Sequence, residues 1–229
     1  MVVGYVLLLL GAYLLGALPF TITLAVAHGI DPSEGDLHAA LWHRASPLYA
    51  VVSGLVDVAK GAFPVLIGFG FSMPVWVVSF AGVVAVVGQM WPPLGGYGEK
   101  GNSTGAGALI VLLLAYQAYA GLLCLGFFAI GAALRCRKIM SMADVRGTRS
   151  SQMHALPLVM LAGFVAAPFF SWIANEPAGL TLGLGLILLA IVVRRMTAGL
   201  ASDMSVGARI GPVLMRRLLF DRGLVGDDL

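Results

Sequence analysis

Charge is scarce in this chain: 11% of its 229 residues are Asp, Glu, Lys or Arg, where a soluble domain carries about 25%. That scarcity excludes an ordinary water-soluble globule. Cysteine is nearly absent too, and the two present, Cys124 and Cys136, exclude a disulfide scaffold. The four histidines, His28, His38, His43 and His154, show no metal-ligand spacing, so neither a metal nor a cofactor is expected, and no nucleic-acid partner either. The first apolar run, MVVGYVLLLLGAYLLGALPF, has no basic residue before it. The n-region of a secretory signal is therefore missing, and the run reads as a retained first span.

What the chain has in quantity is apolar surface: 59% of residues are hydrophobic and the mean hydropathy is +0.94. This composition reads as an all-α, polytopic integral membrane protein. A membrane helix needs about 20 apolar residues, which places spans at about 4–27, 47–71, 75–91, 153–174 and 177–193. The stretch 105–134 is either one overlong tilted helix or a short span to about residue 115 followed by a second from about 118. The basic residues decide between them, because Lys and Arg collect on the cytoplasmic side. Loop 135–152 holds Arg135, Arg137, Lys138, Arg146 and Arg149; the chain after Val193 holds Arg194, Arg195, Arg209, Arg216, Arg217 and Arg222. With two crossings in 105–134, every Lys and Arg except Lys60 falls on one side, Arg44 and Lys100 included, and the turns 72–74, 116–117 and 175–177 hold none. The expectation is about seven transmembrane helices including one short span, with the N-terminus outside and the C-terminus cytoplasmic. Residues 1–196 form the transmembrane domain. Residues 197–229 form a basic cytoplasmic or interfacial tail that would bind lipid or a partner.

One polar, glycine-rich stretch interrupts the apolar pattern: 88–104, GQMWPPLGGYGEKGNST. Glycine allows backbone N–H groups to turn towards a phosphate, and Lys100 adds a point charge. The competing reading is a tight connector between spans. Lys60 lies inside a span, three residues after Asp57, so both face one side of the helix and neutralise each other. Three roles are open for Lys60: a structural ion pair with Asp57, a cavity-lining cation for an anionic ligand, or part of a proton or ion path. The loop 28–46 has turn chemistry in Asp31-Pro-Ser-Glu-Gly35, and its His38, His43 and Arg44 would either approach a phosphate or form a solvated face. The in-span glycines Gly11, Gly16, Gly183 and Gly185 mark close helix packing.

Several of these patterns coincide with one family. Tyr13-Leu-Leu-Gly-Ala-Leu-Pro19-Phe20 resembles YLLGSIPF, Gly29-Ile30-Asp31 resembles GID, and Asp57-Val-Ala-Lys60-Gly61-Ala-Phe-Pro64-Val65-Leu66 resembles DVLKGALPVL. Gly88-Gln89-Met90-Trp91-Pro92 and Lys100-Gly101-Asn102-Ser103-Thr104 resemble GHxFP and KGVAT, while Arg137-Lys138-Ile139-Met140-Ser141 stands where a motif of the type RYVSL is found. Over about residues 13–145 the chain thus resembles, in order and spacing, the bacterial acyl-phosphate:glycerol-3-phosphate acyltransferases of phospholipid synthesis.

The resemblance implies a seven-helix enzyme of the bacterial inner membrane, which moves an acyl group from acyl phosphate to glycerol 3-phosphate and makes lysophosphatidic acid. Its partners are then membrane lipids, those two substrates and possible membrane proteins. Arg44, Lys60, Lys100, Asn102 and Thr104 become the substrate-binding set, and Gln89 and Ser103 the catalytic positions. Ala17 replaces the family's serine, Gln89 its histidine, and Glu99 stands where a lysine is lost. The family's GSGNxGATN loop is essentially absent, the stretch from Asp31 to Asp57 being about four residues shorter than in the family. Gln89 cannot act as a general base. A second reading is therefore a catalytically inactive relative, kept as a lipid-binding or structural subunit of a larger membrane complex. A small-solute transporter is the third, without a matching pair of broken helices to favour it.

Overall fold

The computed structural model describes residues 1–32, 36–93, 98–141, 155–205 and 209–220, and every regular element among them is helical. Gly35, Gly96, Tyr97, Arg146, Arg149, His154 and Arg222, all used in the sequence reading, lie outside the described residues.

The first span, Val2–Ala27, falls where expected and is built of two helices, α1 (Val2–Ala17) and α2 (Phe20–Ala27). Pro19 supplies no N–H and forces Leu18 into an extended conformation (φ −62°, ψ 118°), which ends α1. The loop that follows holds a short helix, α3 (Leu37–Arg44), capped by Asp36, whose carboxylate accepts the Ala39 N–H at 3.3 Å. Next come α4 (Pro47–Gly70), α5 (Val75–Met90) and α6 (Asn102–Ala115). A turn and a 3₁₀ segment, Tyr119–Leu123, lead into α7 (Cys124–Ser141), so the stretch 105–134 is indeed two helices. Helices α8 (Ala155–Ile173) and α9 (Ala178–Thr197) follow, then the short α10 (Leu200–Ser205) and α11 (Ile210–Phe220). Among the described residues, five apolar segments are long enough to cross a membrane: Val2–Ala27, Pro47–Gly70, Tyr119–Arg137, Leu156–Ile173 and Ala178–Ser205. Helices α5 and α6 are apolar but shorter.

The three turns without basic residues share one ending. Ser72, Gln117 and Asn175 take positive φ, and the next residue's N–H bonds back to Gly68, Leu113 and Ser171 at 2.8–3.0 Å. This is the left-handed helix stop, which satisfies carbonyls that would otherwise be orphaned.

Packing centres on α5, buried against α1, α4, α6 and α9. Large apolar side chains such as Leu7, Leu14, Leu55, Phe63, Trp172 and Leu182 point outward, as they must where the solvent is lipid. Lipid gives no hydrophobic drive for helix association, so close backbone approach replaces it. Gly16 lies on the Ala85 carbonyl and Gly88 on that of Tyr13, locking α1 to α5; Gly61 lies on the Thr104 carbonyl and Gly107 on that of Val58, locking α4 to α6. Gly183 meets Ser79, but Gly11 and Gly185 have open space where a Cβ would go, so only half of the four glycines singled out in the sequence are packing contacts. At the C-terminal end α11 packs on α8 and α9, and the buried Arg217 pairs with Asp203 at 2.6 Å.

Candidate functional site

The buried face of α4 runs Ala50, Ser53, Asp57, Lys60, Gly61, Pro64, Val65 and Gly68. This is one stripe at helical spacing, and it carries two charges into the bundle. Asp57 and Lys60 are 1% and 2% exposed, and Lys60 Nζ donates to Asp57 Oδ1 at 2.8 Å. Burial of either charge alone would be costly, so each depends on its partner. Other elements complete the shell around the carboxylate. The Thr21 hydroxyl of α2 donates to Oδ2 at 3.1 Å, and His38 Nε2 of α3 stands 3.4 Å from the same oxygen. From α6, the Thr104 hydroxyl donates to the Asp57 backbone carbonyl at 2.7 Å.

Local sequence explains these arrivals. The break at Pro19 frees α2 to turn Thr21 inward. Leu37 and Leu41 of α3 sink into an apolar patch with Ala25, Ile30 and Ala50, which sets His38 over Gly54, where no side chain obstructs the ring. Asp36 at the start of α3 is held by Arg135 of α7 at 2.8 Å.

The glycine-rich loop closes the site from the other side. The Glu99 N–H donates to the Gln89 carbonyl at 3.1 Å, and Gln89 Nε2 donates to Glu99 Oε2 at 2.9 Å. Gly98 sits against the Met90 carbonyl with no room for a Cβ. Arg194 of α9 anchors the strap, donating to the Gly98 carbonyl at 2.5 Å with its guanidinium 5.9 Å from the Trp91 ring centre. Gly101, at φ 70°, then opens α6. So held, Glu99 faces Asp57, Lys60 and His38.

Burial first, and then the negative charge of Asp57, push the Glu99 carboxyl up to about 7, against the opposing pull of Lys60 and His38. Its folded value thus exceeds its ordinary 4.5, so the folded state holds the extra proton. The stabilisation from that proton is complete below the ordinary value and is lost as pH rises through the folded one. Thermal unfolding in detergent should therefore show stability falling between about pH 4.5 and 7, and Glu99→Gln should flatten that dependence. An unchanged slope in the variant would show that Glu99 does not titrate in this window.

Of the residues proposed from sequence, Asp57, Lys60 and Gln89 come together here. Thr104 is fully buried and its donor is committed to Asp57. Asn102 and Ser103 lie half-buried in the first turn of α6, while Arg44 and Lys100 are exposed. Among the described residues, Gln89 Oε1 and Asn102 Oδ1 are buried without a hydrogen-bond partner, the state of groups that await a ligand or water. Thr21 and Arg194 were missed as site residues, and Glu99 was read only as a lost cation. No local signal marks Thr21, and Arg194 was read for topology alone because its contact with Gly98 lies 96 positions away.

The chain resembles known proteins in both sequence and fold. Residues 6–201 match the family model for glycerol-3-phosphate acyltransferase. The chain is 30% identical over 150 residues to a glycerol-3-phosphate acyltransferase of Aquifex aeolicus, covering 63% of this chain and 75% of that one. It is 31% identical over 180 residues to that of Pseudomonas putida, covering 76% and 83%. In structure it resembles PlsY, an integral membrane glycerol 3-phosphate acyltransferase solved in its lysophosphatidic acid form, with a TM-score of 0.62 and 26% identity over 89% of this chain and 93% of that one.

Proposed function

The chain belongs to the glycerol-3-phosphate acyltransferase family, and from that premise we propose that it transfers an acyl group from acyl phosphate to glycerol 3-phosphate in the bacterial inner membrane. The observation that carries the reading is the inward-facing Lys60, ringed by buried polar atoms from α2, α3, α4 and the 98–101 strap. A phosphate needs cations, and Lys60, with Arg44 and Lys100 nearer the water, supplies them. A glycerol backbone needs acceptors for its hydroxyls, and Gln89 Oε1 and Asn102 Oδ1 are acceptors in want of a donor. Ser103, in the same first turn of α6 as Asn102, adds a hydroxyl. The acyl chain stays among apolar side chains.

Purified protein given acyl phosphate and glycerol 3-phosphate should release inorganic phosphate and form lysophosphatidic acid. Lys100→Met should remove most of that activity while leaving the fold intact, because Lys100 is exposed. No product from the unmodified protein would sink the enzyme reading and favour an inactive lipid-binding or structural subunit.

The same proposal includes the topology. The five long spans together with α5 and α6 make seven crossings, with the N-terminus outside and the tail 197–229 cytoplasmic beyond a membrane domain of 1–196. Support comes from the turns at Ser72, Gln117 and Asn175, which hold no Lys or Arg, and from a family match that ends at residue 201. With the exposed Cys136 first replaced, single cysteines at Lys100 and Arg216 should label from the cytoplasm, and those at Met73 and Glu176 from outside. Opposite faces for Lys100 and Arg216 would refute it.

A further inference from the structure

An acid stands where the site must receive an anion. Glu99 faces Lys60, the buried cation assigned to phosphate, and it faces the Asp57 carboxylate as well. We infer that Glu99 is a specificity-determining residue, which admits a phosphate monoester only while its own carboxyl carries a proton. The inference rests on the acyltransferase reading above, through the place that reading gives to Lys60.

Geometry holds Glu99 in this position. Its N–H donates to the Gln89 carbonyl at 3.1 Å, and its Oε2 accepts from Gln89 Nε2 at 2.9 Å. The strap is fixed on both sides of it. Gly98 is pressed against the Met90 carbonyl while its own carbonyl accepts from Arg194 of α9, and Gly101 at φ 70° lies against the Met90 side chain. Swinging the carboxyl away from the site would cost its bond to Gln89. The same carboxyl also hydrogen-bonds Asp57. Two carboxylates are both acceptors, so that bond requires a proton between them. Asp57 is already the partner of Lys60 at 2.8 Å, which keeps it ionised and leaves the proton on Glu99.

The charge count gives the consequence. With Glu99 protonated, Asp57 and Lys60 neutralise each other and the site is open to an anion. Ionised Glu99 adds a negative charge beside the cation that the phosphate needs, in surroundings that screen it poorly. Burial and the Asp57 charge push the Glu99 carboxyl up to about 7, so the change falls near neutrality. A phosphate bound beside it pushes it higher again, because like charges disfavour ionisation. Binding of the anion and binding of the proton therefore favour each other.

The groups facing Glu99 are Asp57 and Lys60 of α4, His38 of α3 and Gln89 of α5. Arg194 of α9 is engaged with the Gly98 carbonyl and the Trp91 ring, and the adjoining Lys100 is exposed. All of them remain in Glu99→Gln, as does the ligand's own phosphate, so a comparison of the two proteins reports this one carboxyl.

The test is isothermal titration of the full-length protein in lipid nanodiscs with glycerol 3-phosphate, from about pH 5.5 to about pH 8. Apparent affinity scales with the fraction of protein in the competent form. The dissociation constant of the unmodified protein, divided by that of Glu99→Gln, should therefore grow about tenfold across this range. Inorganic phosphate should repeat the trend, because the effect acts on the anion and not on the glycerol hydroxyls. A second measurement needs no variant. At about pH 8, where a phosphate monoester is already ionised, each binding event should draw about one proton from the medium, read by repeating the titration in buffers of different ionisation enthalpy. A ratio that stays constant with pH gives Glu99 a structural part alone and overturns the inference while the transferase reading stands; so does the absence of proton uptake, or a trend that inorganic phosphate fails to show. The expected pattern in a protein without turnover supports the inference and overturns acyl transfer. No binding of glycerol 3-phosphate at any pH overturns both.

Discussion

Lys60→Met is expected to destabilise the protein by about 3 to 5 kcal/mol, the range for removing one partner of a buried ion pair. The variant leaves Asp57 as an uncompensated carboxylate, 1% exposed, with the Thr21 hydroxyl as its remaining close donor alongside His38. Asp57→Asn strands the ammonium of Lys60 in the same way. The double variant Asp57→Asn/Lys60→Met removes both charges together and should be milder than the sum of the singles, by an interaction energy of about 1 to 3 kcal/mol. Thermal or denaturant unfolding in a fixed detergent measures all three, and strictly additive losses would show that the pair carries no coupling. Activity should follow a different rule. Removing Lys60 takes away the cation in the least hydrated part of the site, so acyl transfer should stay absent in the double variant even where stability returns.

The second large effect concerns the crossing that holds the site together. Gly61→Ala and Gly107→Ala should each destabilise by about 3 kcal/mol, at the upper end for overpacking. A Cβ at 61 would overlap the Thr104 carbonyl, and one at 107 the Val58 carbonyl. These are backbone atoms within helices and cannot swing aside as the end of a side chain can. Separating α4 from α6 would also break the Thr104 hydroxyl bond to the Asp57 carbonyl, so affinity for glycerol 3-phosphate should fall along with stability. Gly11→Ala and Gly185→Ala provide the contrast. Both glycines face open space, and alanine there is a better helix former, so those variants should be neutral or slightly stabilising. Unfolding temperatures for the four single variants decide the matter; equal effects at Gly61 and Gly11 would refute the close-crossing account.

Membrane residence was legible from sequence because it depends on summed hydropathy, which needs no knowledge of neighbours. The helix ends expected near residues 71, 115 and 174, and found at Gly70, Ala115 and Ile173, were legible for a similar reason, since the apolar runs stop there. The pairing of Asp57 with Lys60 follows from helical spacing alone. The break at Pro19, which divides the first span into two helices, was hidden by the apolar run around it.

Facing was another matter. In water, a polar stripe tells which side of a helix is buried. In lipid, the protein-facing and membrane-facing sides are both apolar, so Gly61 and Gly107 look no different in sequence from Gly11 and Gly185. The same ambiguity hid which residues meet at the site. Thr21, His38, Glu99 and Arg194 meet around Asp57 and the 98–101 strap only because α1–α2, α3 and α9 fold against α4 and α5. Those contacts join residues tens of positions apart, and no local preference encodes them. Sequence by itself therefore determined that this chain lives in a membrane, where most of its spans lie, and that Asp57 and Lys60 share one helix face. The partners of that pair were decided by the tertiary structure, because they depend on which apolar face turns inward, and a lipid solvent leaves that choice unmarked in the chain.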